Sequence, residues 1–292
     1  MNNLFQDANR QQISGRRRND LIWRILFLGA TLFGIVALSA LIITIVTDGI
    51  ARLNPDLFTN YPSRRASASG MKSAIVGSLY MLCLMAPLSF VLGVGAAIYL
   101  EEYAPKNRFT RLIQLNISTL AGVPSIVYGI LGLAIFVRTF GLERSLLSGA
   151  LTMTLLVLPI IIVASQEAIR AVPRARRDAS FALGATKWQT VSRSVLPSSI
   201  SAIMTGVILA LSRAIGETAP LIIIGAATYV AFLPESLFDT FTVMPIQIYN
   251  WIARPQEAFQ DLAASGIIVL MIMLVIMNVA AIMLRNKYQK NI

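Results

Sequence analysis

The chain has 292 residues, 56% hydrophobic and only 13% charged; ordinary soluble domains carry roughly 25% charged residues, so this is an integral membrane protein. It contains no histidine and one cysteine, Cys83, inside an apolar run, which argues against histidine-based zinc sites, cysteine-held clusters and disulfide frameworks. A net charge of +11 would suit a nucleic-acid binder if it were clustered on a soluble face, but here it is spread along loops between apolar runs.

A helix crossing a bilayer needs about 20 mostly apolar residues, because each backbone group must find its hydrogen bond within the segment. Six runs qualify: 21–46, 71–100, 112–137, 146–169, 198–229 and 265–284. The expected fold is all-α, a polytopic membrane protein of six transmembrane helices.

Residues 1–20 form a polar tail with a cluster at Arg16, Arg17 and Arg18, expected to be mobile or surface-bound. The run at 21–46 is too long for the 7–15-residue apolar region of a signal peptide and lacks a small-residue cleavage site, so it reads as a retained anchor. After the 48–70 loop comes a five-helix core over 71–284. In its first helix Pro87 is a bend, Gly93 and Gly95 are candidate close contacts, and Cys83 reads as a small buried hydrophobe. In the next helix Pro124, between Gly122 and Gly129, removes a helix bond and predicts a kink.

The 170–197 loop is rich in arginine. Pro173 suits a first helical turn, a helix can run to Leu183, and Gly184 would end it in the left-handed conformation. Thr186 and Gln189 have capping-box spacing for a second short helix, which Pro197 is expected to stop. Phe181, Leu183 and Trp188 would give this knob an apolar tip within a charged rim. An ordinary interhelical loop on the headgroups is the plainer reading.

The next span holds Arg213 and Glu217, the only charges deep in any apolar run. Their i, i+4 spacing places both on one helix face. An ionised side chain at bilayer depth costs on the order of 3 kcal/mol or more, so both should face protein or a wet cavity. A buried pair locking two helices is one reading; a cationic station for an oxyanion, with Glu217 holding Arg213, is the other. Ser212 and Thr218 are neutral donors there, or bond back to their own helix. Pro220 predicts a second break. The external 231–264 segment contains an apolar stretch at 243–251, expected as a short interfacial or partly inserted helix at the outer mouth, and 285–292 forms a C-terminal tail.

Most Lys and Arg residues fall in the N-terminal tail, around Lys106, in the 170–197 loop and after residue 284, and the other loops hold few. By the positive-inside rule, six spans then leave both termini cytoplasmic in a bacterial inner membrane, with anionic lipid as a partner and no nucleic acid.

The pattern Asp178-Ala179-Ser180-x-x-x-Gly184, followed by Ser194, Leu196 and Pro197, resembles the E-A-A-x-x-x-G…I-x-L-P signature of binding-protein-dependent ABC permeases. The departures are Asp178 for Glu, Ser180 for Ala and Ser194 for Ile. Four further blocks, 74–79, 120–129, 212–220 and 244–251, are similar to the phosphate-specific permease subunits, PstA type, and extend the resemblance over about 70–288. The resemblance implies an ATPase-coupling role for Asp178, Ala179, Gly184, Leu196 and Pro197. It implies a partner ATP-binding subunit dimer, a second homologous permease subunit and an external phosphate-binding protein, with 231–264 in an outer gate. The phosphate-cradling G-x-x-x-x-G-K-[ST] pattern is not present in the chain, so ATP and Mg are expected on the partner and the chain is read as a transport subunit rather than an enzyme. An ion-coupled secondary carrier with Glu217 as proton relay, an ABC permease for another oxyanion and a non-transporting phosphate sensor are the alternatives.

Overall fold

In a computed structural model, which describes residues 2–226 and 229–289, helix α1 (Asn2–Gly49) is unbroken. The expected polar tail is therefore the first part of that helix. Residues 2–20 contain no proline, and extending an existing helix is far cheaper than starting one. From Asp20 to Arg52 the most apolar stretch is 0% buried. Contact is made mainly with the last helix, where Ser265 Oγ donates to the Gly49 carbonyl at 2.7 Å.

A short helix α2 (Pro55–Thr59), capped by Asn54, follows. Helix α3 (Lys72–Ile98) absorbs Pro87 and ends in a π-helical turn at Tyr99–Tyr103. Where a third span kinked at Pro124 was expected, the chain forms α4 (Arg108–Leu120) and α5 (Ser125–Gly132), continued by a π-helical turn at Leu133–Thr139. The two parts meet at 106°. Pro124 can neither donate a helix bond nor let Val123 stay helical, and Gly122 leaves that turn unbraced, so the kink becomes an elbow.

Helix α6 (Leu146–Arg170) returns through the centre, with 67% of its apolar stretch buried. It begins in a Ser145–Ser148 capping box and ends beside the 170–197 loop. The elbowed pair joins the loop end of α3 to the far end of α6, so it traverses the bundle once. Five helices are individually long and apolar enough to span, and the bent pair makes six.

The loop forms α7 (Arg174–Ala182) and α8 (Lys187–Thr190). Pro197 does not stop α8. A π-helical turn at Val191–Val195 carries it straight into α9 (Leu196–Ile215), where the proline occupies the first turn and its missing N–H costs nothing. The fifth run breaks at residues 216–218, and only α10 (Ala219–Ile224) follows before a left-handed Gly225 with φ 84°. Residues 227 and 228 of the expected span, and Lys290 of the C-terminal charge cluster, lie outside the described residues.

Helix α11 (Met244–Ile252) is packed into the protein rather than lying flat on it: Met244 and Trp251 are 0% exposed. It packs with Leu57, Met71 and Phe259 in a second core against α12 (Glu257–Gln289), so the 48–70 segment belongs to an ordered outer cap. The main core lies between α3, α6 and α9. Gly93 permits close approach there, since a Cβ would lie 2.6 Å from Ile161 Cγ2, whereas Gly95 faces open space. Cys83 is exposed in this chain, not buried.

Candidate functional site

Two broken helices meet around the intramembrane charges. The α9 helix ends at Ile215 through tightened bonds, Gly216 N–H to Arg213 O at 3.2 Å and Glu217 N–H to Ala214 O at 3.0 Å. Glu217 thus lies in the break instead of on a continuing helix, yet its Oε1 stays 3.5 Å from Arg213 Nε. The tightened last turn preserves the proximity that helical spacing predicts. Opposite, Tyr128 Oη donates to the Leu120 carbonyl at 2.9 Å across the α4–α5 elbow, satisfying an acceptor that the kink frees.

The elbow and the break share one cleft, lined by Val123, Ser125, Tyr128, Ala214 and both charged residues. Helix α10 closes onto α5 because Gly129 has no side chain: a Cβ there would lie 2.7 Å from Pro220 Cα. Within this chain the Arg213 side chain is 68% exposed and that of Glu217 is 21% exposed. The carboxylate is held against protein while the guanidinium projects outward. Such a group can donate two parallel hydrogen bonds to an oxyanion and keeps its charge at any working pH.

Of the expected neutral donors, Ser212 is engaged. Its Oγ donates back to the Ile208 carbonyl at 2.7 Å and pairs closely with Asn278 of α12. Thr218 is the N-cap of α10 without a side-chain capping bond. The sequence reading missed Ser125 and Tyr128 as cleft-forming groups; their place beside the Pro124 kink was the available signal.

The second constellation is the loop. Gly184 has φ 79°, the left-handed conformation that ends α7, and Thr186 and Gln189 satisfy each other's backbone donors at 3.3 and 2.8 Å. Asp178 and Ala179 are exposed, and Leu196 and Pro197 are half-buried where the loop joins α9. The apolar tip faces solvent, with Leu183 89%, Trp188 66% and Phe181 47% exposed. Ser194 is only half-buried; Val191 and Val195, 1% and 0% exposed, supply the apolar packing beneath the second helix.

Sequence reasoning did not identify what anchors this knob. Arg177 places Nε and Nη2 at 3.1 and 2.7 Å from Glu102 Oε1, and also donates to the carbonyls of Val172 and Ile169 at 2.7 and 3.0 Å. Arg170 Nη2 approaches Glu101 Oε1 at 2.6 Å, and Gln166 donates to the same oxygen at 2.9 Å. Ser180 and Thr190 hydroxyls bridge α7 to α8 at 2.9 Å. The consecutive Glu101-Glu102 at the end of α3, next to an arginine-rich loop, was the signal.

The family of binding-protein-dependent transport system inner membrane components matches residues 89–290. The chain belongs to that family. It is 30% identical over 278 residues to a phosphate transport system permease protein PstA of Yersinia pestis, covering 95% of this chain and 93% of that protein. A PstA of Xylella fastidiosa (strain Temecula1) is also 30% identical, over 88% of this chain and 90% of its own length. A probable ABC transporter permease protein of Bacillus subtilis, YqgI, is 32% identical over 81% and 85%. Among solved structures, a bacterial alginate ABC transporter in complex with an alginate-bound periplasmic protein superposes with a TM-score of 0.69 at 15% identity, covering 94% of this chain and 96% of that one. An inward-facing MetNI methionine ABC transporter gives 0.60 at 17%, covering 75% and 97%. The permease is a multi-pass, all-α membrane subunit with importer-type ABC permease architecture.

Proposed function

We propose that this chain is one of two permease subunits of an ATP-driven phosphate importer, with Arg213 and Glu217 on the translocation path. The observation that carries the proposal is the arginine–carboxylate pair where two broken helices meet. A guanidinium open to one side attracts a phosphate oxyanion, and the adjacent carboxylate tempers that attraction so the anion can leave. The names of the PstA relatives support phosphate as cargo.

ATP and Mg act on a separate ATPase dimer. The tip of Phe181, Leu183 and Trp188, with Asp178, Ala179 and Gly184 around it, is the surface offered to that partner. Movement of the partner is transmitted through Leu196 and Pro197 into α9, which carries Arg213 at its far end. The 231–264 segment receives an external phosphate-binding protein, and a second homologous permease covers the exposed side of Arg213. The positive-charge distribution supports cytoplasmic termini.

The test is uptake of radiolabelled phosphate by proteoliposomes holding the assembled complex, with sulfate as competitor. ATP-dependent uptake resisting excess sulfate supports the reading. Equal transport of both anions would transfer the assignment to a general oxyanion permease.

A further inference from the structure

The end of α6 farthest from the 170–197 loop opens onto a second cavity, of about 430 Å³. Its wall includes Arg144, Tyr229, Thr240 and Tyr249, all able to donate hydrogen bonds, and among the described residues no acidic one lines it. Arg144 is exposed and makes no ion pair among the described residues; neither does its neighbour Glu143. The left-handed Gly225 makes room for it, since a Cβ there would lie 2.9 Å from Arg144 Nε and 3.1 Å from Cζ. The guanidinium therefore rests along the turn that ends α10.

Arg144 rests at the last turn of α10, and the Arg213–Glu217 cleft ends just before its first residue. Helix α10 has six residues, about 9 Å at 1.5 Å per residue. Ile222 faces the outer cavity and Pro220 packs on Gly129. One arginine without a carboxylate partner among the described residues and one with such a partner thus stand at opposite ends of a short apolar helix.

We infer that the cavity around Arg144 is an outer receiving site for the oxyanion, occupied before the anion passes α10 to Arg213. This deepens the phosphate reading and rests on it. An unpaired guanidinium among hydroxyl donors captures an anion from water, and the paired Arg213 then holds it less tightly and passes it on.

The experiment follows transfer of labelled phosphate from the loaded external binding protein into proteoliposomes containing the full complex. The affinity of the complex for the unloaded binding protein is measured separately. Because Arg144→Gln loses a charge-assisted hydrogen-bond site, it is expected to slow transfer about tenfold or more. Arg144→Lys recovers most of the rate, docking of the unloaded protein is unchanged, and the ionic-strength dependence flattens only in the glutamine variant. Tyr249→Phe, which removes one exposed hydroxyl, slows transfer about twofold and tests the site even if Arg144→Gln does not assemble. Normal transfer in assembled Arg144→Gln, or in Tyr249→Phe if it does not assemble, overturns the inference. So does weakened docking of the unloaded protein, which would make Arg144 a docking residue. Absence of phosphate uptake in the wild-type complex overturns the phosphate reading itself.

Discussion

Arg213 and Glu217 remain 3.5 Å apart although the helix that should carry both ends between them. If Arg213 contacts the anion, Arg213→Gln abolishes ATP-dependent phosphate uptake while the complex still copurifies. Arg213→Lys keeps the charge but loses the planar fork and recovers only part of the rate. Normal uptake by the glutamine variant would remove Arg213 from the path. Glu217→Gln leaves the guanidinium untempered, so turnover falls and bound phosphate dissociates more slowly, as measured by retention on the solubilised complex. The four-residue spacing of two charges in an apolar run made this pair legible from sequence. The break at 216–218 was not, because one Gly and a following Pro220 mark either a kink or a stop, and only packing against Gly129 decides between them. Ser212 shows the same limit: its bond to Ile208 is local and foreseeable, but its contact with Asn278 joins residues 66 apart in the chain.

Two π-helical turns flank the 170–197 loop, one at the end of α3 and one joining α8 to α9, and the Glu102–Arg177 and Glu101–Arg170 pairs tie the first of them to α7 and to the end of α6. The wider turn re-aims side chains, and at the end of α3 it presents two consecutive carboxylates to the loop. The Glu102 and Arg177 side chains are 11% and 18% exposed, so removing one partner leaves the other poorly solvated, at a cost of about 2 kcal/mol. Glu102→Gln is expected to loosen α7 and raise ATP hydrolysis per phosphate moved. An unchanged ratio would show that the anchor is dispensable. At Gly184, any side chain meets open space but must adopt φ 79°, which costs roughly 1–2 kcal/mol for a non-glycine residue. Gly184→Ile should therefore uncouple hydrolysis from transport without weakening the core, checked by thermal stability alongside the coupling ratio. Gly184 and the Thr186–Gln189 box were readable because capping chemistry is local. The run-through at Pro197 was not, since it depends on the π-helical turn three-dimensionally supported by buried Val191 and Val195.

At the scale of the molecule, α1 leaves its apolar stretch 0% buried and Arg213 stays open on one side, the side that the proposed second permease would cover. The six apolar runs set the number of crossings, but hydropathy reports burial in lipid or protein alike. It could not separate a straight span from the 106° elbow, nor a surface helix from α11, whose Trp251 is enclosed beneath Leu57 and Phe259. If a nucleotide-hydrolysing partner drives every phosphate through this chain, phosphate flux into proteoliposomes is seen only with the complete complex of this chain, its ATPase and a second permease, and only with ATP. Flux through the lone chain driven by a proton gradient would overturn the importer reading.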